Sequence, residues 1–260
     1  MDEERRKLKE DVIRADRGPF IGWWDTLLRV EPKVLRRVHE FLLVGEKATH
    51  ISEKMRHLIW VAVDIVVTHL YPRGAGVHAS IALKCGATPQ EVVQTLEIAA
   101  SVSCRGFEEG LPIVLAAIEK KEGSAQRWQR PLSAEEEALK RNLQGRLGFF
   151  SPWMEQTLRL WPDYLQALID LGYSEVTSGS GLDAKSRELI FFGAHACPAI
   201  GNKDGMKIHA ERALADGATP DELLQVLSLA NYIGLHSIAE GINTVSEHIT
   251  NAEAQAAAKN

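Results

Sequence analysis

Three histidines and two acids in the second half of the chain define the chemistry it could perform. Glu188 and His195 are seven residues apart, His209 follows after a break, and His236 and Glu240 are four apart. On a helix, steps of seven and four bring a side chain back to the same face. An imidazole changes charge near neutral pH, so groups of this kind, if they converge, can pass a proton to and from a substrate without a cofactor. A metal is the competing reading. His195, His209 and His236 would offer three imidazoles to zinc or another divalent transition ion with an open position, supported by Glu188 or Glu240. The sequence has no His-Glu-x-x-His stretch, so this second reading rests on convergence alone.

The same positions recur 131 residues earlier as His57, Asp64, His78, Arg105 and Glu109. Asp64, His69 and His78 make a second candidate metal triad. The shift also lays Gly86-Ala87-Thr88-Pro89 on Gly217-Ala218-Thr219-Pro220, Gln94 on Gln225 and Arg56 on Arg187. Upstream the register changes by one residue, and Phe20, Trp23, Leu28, Arg29 and Pro32 fall on Phe150, Trp153, Leu158, Arg159 and Pro162. The chain therefore reads as a fused duplicate, with a first unit over 1–128 and a second over 129–260. The polar stretch Lys120-Lys121-Glu122-Gly123-Ser124 reads as the link between them.

Helices must position these residues. Ser52 and Asp183 can cap helices rich in Leu, Ile and Val, expected over about 52–70 and 183–199. A second helix in each unit, over about 74–85 and 203–216, carries His78 or His209. Gly86 and Gly217 then close it where a left-handed residue is needed. Thr88-Pro89 and Thr219-Pro220, followed by Glu91 and Glu222, read as a cap, a proline in the first turn and an acid at the positive end of the helix dipole. No alternating polar and apolar run framed by hairpin turns occurs, so the fold class is all-α. Helices joined by short connections pack side by side, which would let the polar groups share one pocket.

Composition excludes several partners. The formal net charge is −5 with both signs interspersed, so no basic stripe suits nucleic acid. The apolar run 58–67 is broken by Asp64 and too short for a bilayer, and the N-terminus lacks an apolar signal segment. Three cysteines without a close pair fit a reducing compartment, so the expected location is cytoplasmic. The tryptophans read as core or subunit-contact anchors, with Trp23, Trp24 and Trp153 able to cover a pocket mouth.

Arg187-Glu188-Leu189, His209-Ala210, Ala213-Leu214, Gly217-Ala218-Thr219 and Glu222-Leu223, an ordered set whose key positions recur in both halves, resemble the carboxymuconolactone decarboxylase family. That family shares its helical fold with alkyl hydroperoxidase D, so the resemblance implies a tandem all-α bundle of this type. The hydroperoxidase branch resembles Glu, Cys-x-x-Cys, then His. Counting back from His209 places the cysteine positions at Asn202 and Gly205, and from His78 at Tyr71 and Gly74. Neither half can form the thiolate, which argues against thiol peroxidase activity.

The decarboxylase branch needs neither thiol nor cofactor. The resemblance implies a lyase or isomerase acting by proton transfer on a small carboxylate or lactone, as in the breakdown of aromatic compounds. It makes His209 the leading acid/base residue, Glu188 its partner, and His195 and His236 pocket-lining groups, with His78 as the counterpart of His209. His57 stands where the second half has Glu188, Arg73 where it has Asp204, and Arg105 where it has His236. Arg73 and Arg105 could clamp a carboxylate, and His57, Asp204 and Tyr232 complete the expected substrate-binding set. The resemblance also implies a homo-oligomeric ring, with a trimer of fused pairs expected. The alternative to catalysis is a helical scaffold that binds a small ligand or a partner protein.

Overall fold

The computed structural model describes residues 2–16, 22–123, 126–172 and 181–258. Phe20 of the upstream correspondence and Ser124 of the expected link lie outside them. The first half runs α1 (Glu3–Asp16), α2 (Gly22–Val30), α3 (Pro32–Lys47), α4 (Glu53–Ile65), α5 (Pro72–Lys84), α6 (Pro89–Ser103) and α7 (Gly106–Glu122). A short α8 (Gln126–Gln129) leads to α9 (Ala134–Leu147), α10 (Pro152–Leu160) and α11 (Pro162–Gly172). Then come α12 (Ala184–Ala196), α13 (Lys203–Ala215), α14 (Pro220–Asn231), a 3-10 turn at Tyr232–Leu235 and α15 (His236–Ala257). The fold is all-α, with no strand among the described residues.

The local signals act as their chemistry requires. Ser52 accepts from Met55 N–H and Asp183 from Ser186 N–H, starting α4 and α12. Thr88 with Glu91 and Thr219 with Glu222 form full capping boxes, each with proline in the first turn. Gly86 and Gly217 take φ of +90° and +89°. The helices α4 and α12 stop short of the expected 70 and 199. Val66 C=O receives His69 and Leu70 N–H, and Cys197 C=O receives Ile200 and Gly201 N–H, closing a tight turn in each half. Each turn passes through a left-handed residue, Gly201 at φ +59° and Leu70 at φ +43°. A side chain there costs about 1–3 kcal/mol, so only the Leu70 copy stores strain.

Packing interlocks the halves. The largest core cluster mixes Ile51, Leu58, Ile59, Val63 and Ile98 with Leu182, Ile190, Phe191, Val226 and Leu229. Entry helices cross over: α2 and α3 lie on α15 and α14, while α10 and α11 lie on α7 and α6. Two buried glutamines tie the exchange. Gln94 Oε1 accepts Leu182 N–H at 2.7 Å, and Gln225 Oε1 accepts Ile51 N–H at 3.0 Å. Each removes a buried amide from the unsatisfied pool, and each reaches into the opposite half. The segment after the third helix of each half is thereby placed against the other half's polar residues. No helix among the described residues is long and apolar enough to cross a membrane.

Candidate active site

Two turns of α12 place Glu188, Phe191 and His195 on one face, and all three are buried. The turn through Gly201 and the cap of Asn202 on Gly205 N–H then start α13, which packs along α12. This brings His209 to Glu188 across 21 residues of chain, with Nδ1 2.7 Å from Oε2. Arg212, one turn further along α13, sets Nε 2.9 Å from the other carboxylate oxygen, as an ion-pair contact rather than an aligned hydrogen bond. Its guanidinium also donates to Leu147 C=O. Phe191 stacks on His209 with ring centres 4.4 Å apart, and His195 stacks at 5.1 Å.

A carboxylate only accepts, so the Nδ1 proton of His209 points to Glu188 and Nε2 keeps the lone pair. Burial holds the His209 pKa below the usual imidazole value, while Glu188 pulls it back up. Burial also lowers His195, to about 3, with the charges of His209 and Arg105 adding to the effect. Both rings are therefore neutral at neutral pH. They line a cavity of about 480 Å³ together with Phe149, Trp153, Lys207 and Arg105. Arg105 Nε and His195 Nδ1 are buried without a hydrogen-bond partner. Arg105 is held by Ile200 C=O and by Glu109, so the first half supplies a cation to the second half's cavity.

The positions expected for thiols are filled by other means. A Cβ at Gly205 would lie 2.4 Å from His195 Nδ1, and a Cβ at Gly74 would lie 2.3 Å from Asp64 Oδ2. The missing side chains are the space into which His195 and Asp64 pack. Asn202 serves as a helix cap, and Tyr71 lies against His236 with ring centres 4.3 Å apart.

The sequence-derived residues divide into two places. His209, Glu188 and His195 come together, and Asp204 and Arg105 join His195 and His209 in lining the cavity. The trio His195, His209 and His236 does not form, because the crossover of the halves delivers His236 to Asp64 and His69 instead. There His69 Nε2 and His236 Nδ1 are 2.8 Å apart, and His236 Nδ1 is 3.9 Å from Asp64 Oδ1. The triad of Asp64, His69 and His78 is corrected likewise. His78 turns its Nδ1 to His57 Nδ1 at 3.0 Å and only its Nε2 approaches Asp64, at 4.0 Å.

Burial raises the Asp64 pKa to about 8 and lowers His78 to about 3 and His236 to about 4. Arg73 is exposed at the start of α5 and does not share the cavity with Arg105, so the expected two-arginine clamp is not assembled. Tyr232 is core, not pocket: its hydroxyl donates to Phe41 C=O at 3.1 Å and its ring joins the central cluster. Trp153 lines the cavity, whereas Trp23 and Trp24 belong to the core of α1–α3. Sequence reasoning missed Arg212, Phe191 and Phe149. Arg212 was within reach, since it follows His209 by three residues and so shares its helix face.

Residues 162–236 match the model of the carboxymuconolactone decarboxylase family. A crystal structure from Burkholderia xenovorans LB400, of a provisionally named gamma-carboxymuconolactone decarboxylase subunit, is similar with a TM-score of 0.87 and 26% sequence identity. The similarity covers 95% of this chain and 98% of that one. No curated protein matches the chain.

Proposed function

We propose that this chain, matching the carboxymuconolactone decarboxylase family over residues 162–236, is a lyase or isomerase acting by proton transfer on a small carboxylate or lactone. The working site is the second half's cavity, and the chemistry there uses no cofactor. The observation that carries this reading is the buried Glu188–His209 pair, which fixes one imidazole nitrogen and leaves the other for the cavity that Arg105 enters.

Arg105, with Lys207, binds the substrate carboxylate. The anion brought in this way raises the proton affinity of His209, opposing the effect of burial. As the carbon–carbon bond to the carboxylate breaks, carbon dioxide leaves and the electron pair remains on the substrate as an enolate. His209, which takes up a proton from solvent at Nε2 once the anion is bound, delivers that proton to the carbon and returns to the neutral form. Glu188 stabilises the charged imidazole through Nδ1, a role typically contributing 10²–10⁴-fold with the proton transfer it supports. Phe149, Phe150 and Trp153 restrict water, strengthening these interactions. The first half, whose His78 faces His57 in place of a glutamate, contributes Arg105 rather than a second copy of this site. The two halves are read as repeats of one unit, and assembly into a homo-oligomer accords with the "subunit" in the relative's name.

Calorimetric titration with small lactone carboxylates tests the binding half of this reading. Wild-type chain should bind at least one, and Arg105→Met should bind it at least tenfold more weakly. Equal binding by the Arg105→Met variant, or none by the wild type across the series, contradicts it.

A further inference from the structure

A second cluster, used by none of the chemistry above, lies where the first half receives α15. Asp64, His69 and His236 present ligand atoms that all lie within 4.8 Å of one another. Asp64 is 2% exposed, and its Oδ2 has no hydrogen-bond partner. A carboxylate in that position is costly unless a proton or a cation compensates it. Among the described residues no lysine or arginine forms an ion pair with Asp64, which faces the imidazoles of His78 and His236 at 4.0 and 3.9 Å. The two imidazoles of His69 and His236 are stacked almost parallel, 6° apart, with nitrogens 2.8 Å from each other. One must donate to the other, so the pair holds one hydrogen bond where two lone pairs could bind an ion.

The geometry points to a divalent transition-metal site formed by Asp64, His69 and His236. Ligands sharing one ion at about 2.1 Å stand roughly 3.4 Å apart in tetrahedral geometry, so small side-chain rotations close the set. Two imidazoles and one carboxylate leave at least one position for water, and the donor set suits zinc, cobalt or ferrous ions. His69 and His236 are partly exposed, which gives an ion a route in. The surroundings are those of a ligand shell. His78 Nε2 stands 4.0 Å from the second carboxylate oxygen, beyond hydrogen-bond distance, while its Nδ1 meets His57, so Oδ2 is left with its lone pairs toward the cluster. Gly74 is required, since a Cβ there would meet Asp64 Oδ2 at 2.3 Å. The ligands come from both halves, because His236 reaches Asp64 only through the crossover.

The test uses untagged full-length chain stripped with a chelator and titrated with Co²⁺, followed by visible absorption, and with Zn²⁺, followed by calorimetry. The expected result is saturation at one ion per chain with a micromolar or tighter Kd, and intense Co²⁺ bands of a low-coordinate site. His69→Gln and His236→Gln should each weaken binding at least a hundredfold. His209→Gln, in the other cluster, should bind as the wild type does. The substituted imidazoles are partly exposed, so these chains should fold, as circular dichroism would verify. Shifts of the His69 and His236 ring resonances on adding Zn²⁺ give a readout in the unsubstituted protein. No saturable binding, binding unchanged in His69→Gln and His236→Gln, or binding lost in His209→Gln would each overturn the assignment. None of these outcomes bears on proton transfer at His209.

Discussion

Gly205→Ala tests whether the space that a side chain at this position would need is taken by His195. The added Cβ would lie 2.4–2.6 Å from three atoms of the His195 ring. Ordinary carbon contacts are about 3.5–4.0 Å, so the ring or the helix must move by roughly 1 Å. The ring has little freedom, being 8% exposed and stacked against His209. Overpacking of this kind costs about 1–3 kcal/mol, and the helix gains about 0.5–1 kcal/mol on replacing glycine by alanine. The net expectation is a loss of up to about 2.5 kcal/mol, or a fall in Tm of up to roughly 10 °C at about 2–4 °C per kcal/mol. Gly76→Ala supplies the reference, since its Cβ meets nothing within 4 Å on an exposed helix. That variant should gain about 0.5–1 kcal/mol. Differential scanning calorimetry on the two variants and the wild type reads both values. If Gly205→Ala rises in Tm alongside Gly76→Ala, the steric account of the missing thiol position is refuted.

Other expectations follow from the same geometry. Glu188→Gln removes the negative partner of both His209 and Arg212 within a buried pair, and should cost about 3–5 kcal/mol by urea unfolding. NMR titration of that variant should find the His209 pKa lower than in wild type, because the raising influence of Glu188 is gone; an unchanged or higher value would count against the pairing. His195 is depressed in the folded state to about 3, so at lower pH the unfolded chain binds the extra proton. Its contribution to stability is complete above about pH 6.5 and is lost as pH falls towards 3, with a slope of at most about 1.4 kcal/mol per pH unit. His195→Gln should flatten the stability profile between pH 6 and 4 by about that slope, and an identical profile would exclude a buried neutral ring. Tyr232→Phe should cost about 1 kcal/mol through the lost bond to Phe41 C=O and leave substrate binding unchanged.

The helices were legible because their signals are local. Ser52, Thr88, Asp183 and Thr219 each cap within three residues, and Gly86 and Gly217 each need a left-handed φ that the residue type advertises. The overshoot of α4 and α12 came from apolar continuity through Val66 and Cys197, which hides a turn made by backbone bonds. Glu188 and His209 could be matched because they sit on consecutive helices joined by a short turn. The site of His236 could not, since helical spacing says which face of α15 it occupies and nothing about which half that face meets. That choice is set by long-range pairs such as Gln94 with Leu182 and Gln225 with Ile51. The signal was nevertheless present as two glutamines in equivalent positions of two apolar helices, polar groups that need partners outside their own segment. The same crossover moves Arg105 beside His195, so a cation expected to serve the first half serves the second.

The most direct test of proton transfer at His209 is turnover of small lactone carboxylates in deuterated buffer. Carbon dioxide release and deuterium at the carbon that lost the carboxylate are measured together, for wild type, His209→Gln and His78→Gln. The expected result is deuterium incorporation by wild type, a loss of about 10²–10⁴-fold in kcat/KM in His209→Gln, and a rate in His78→Gln close to wild type. Full activity in His209→Gln, or a loss confined to His78→Gln, would contradict the assignment of the working site to the second half's cavity.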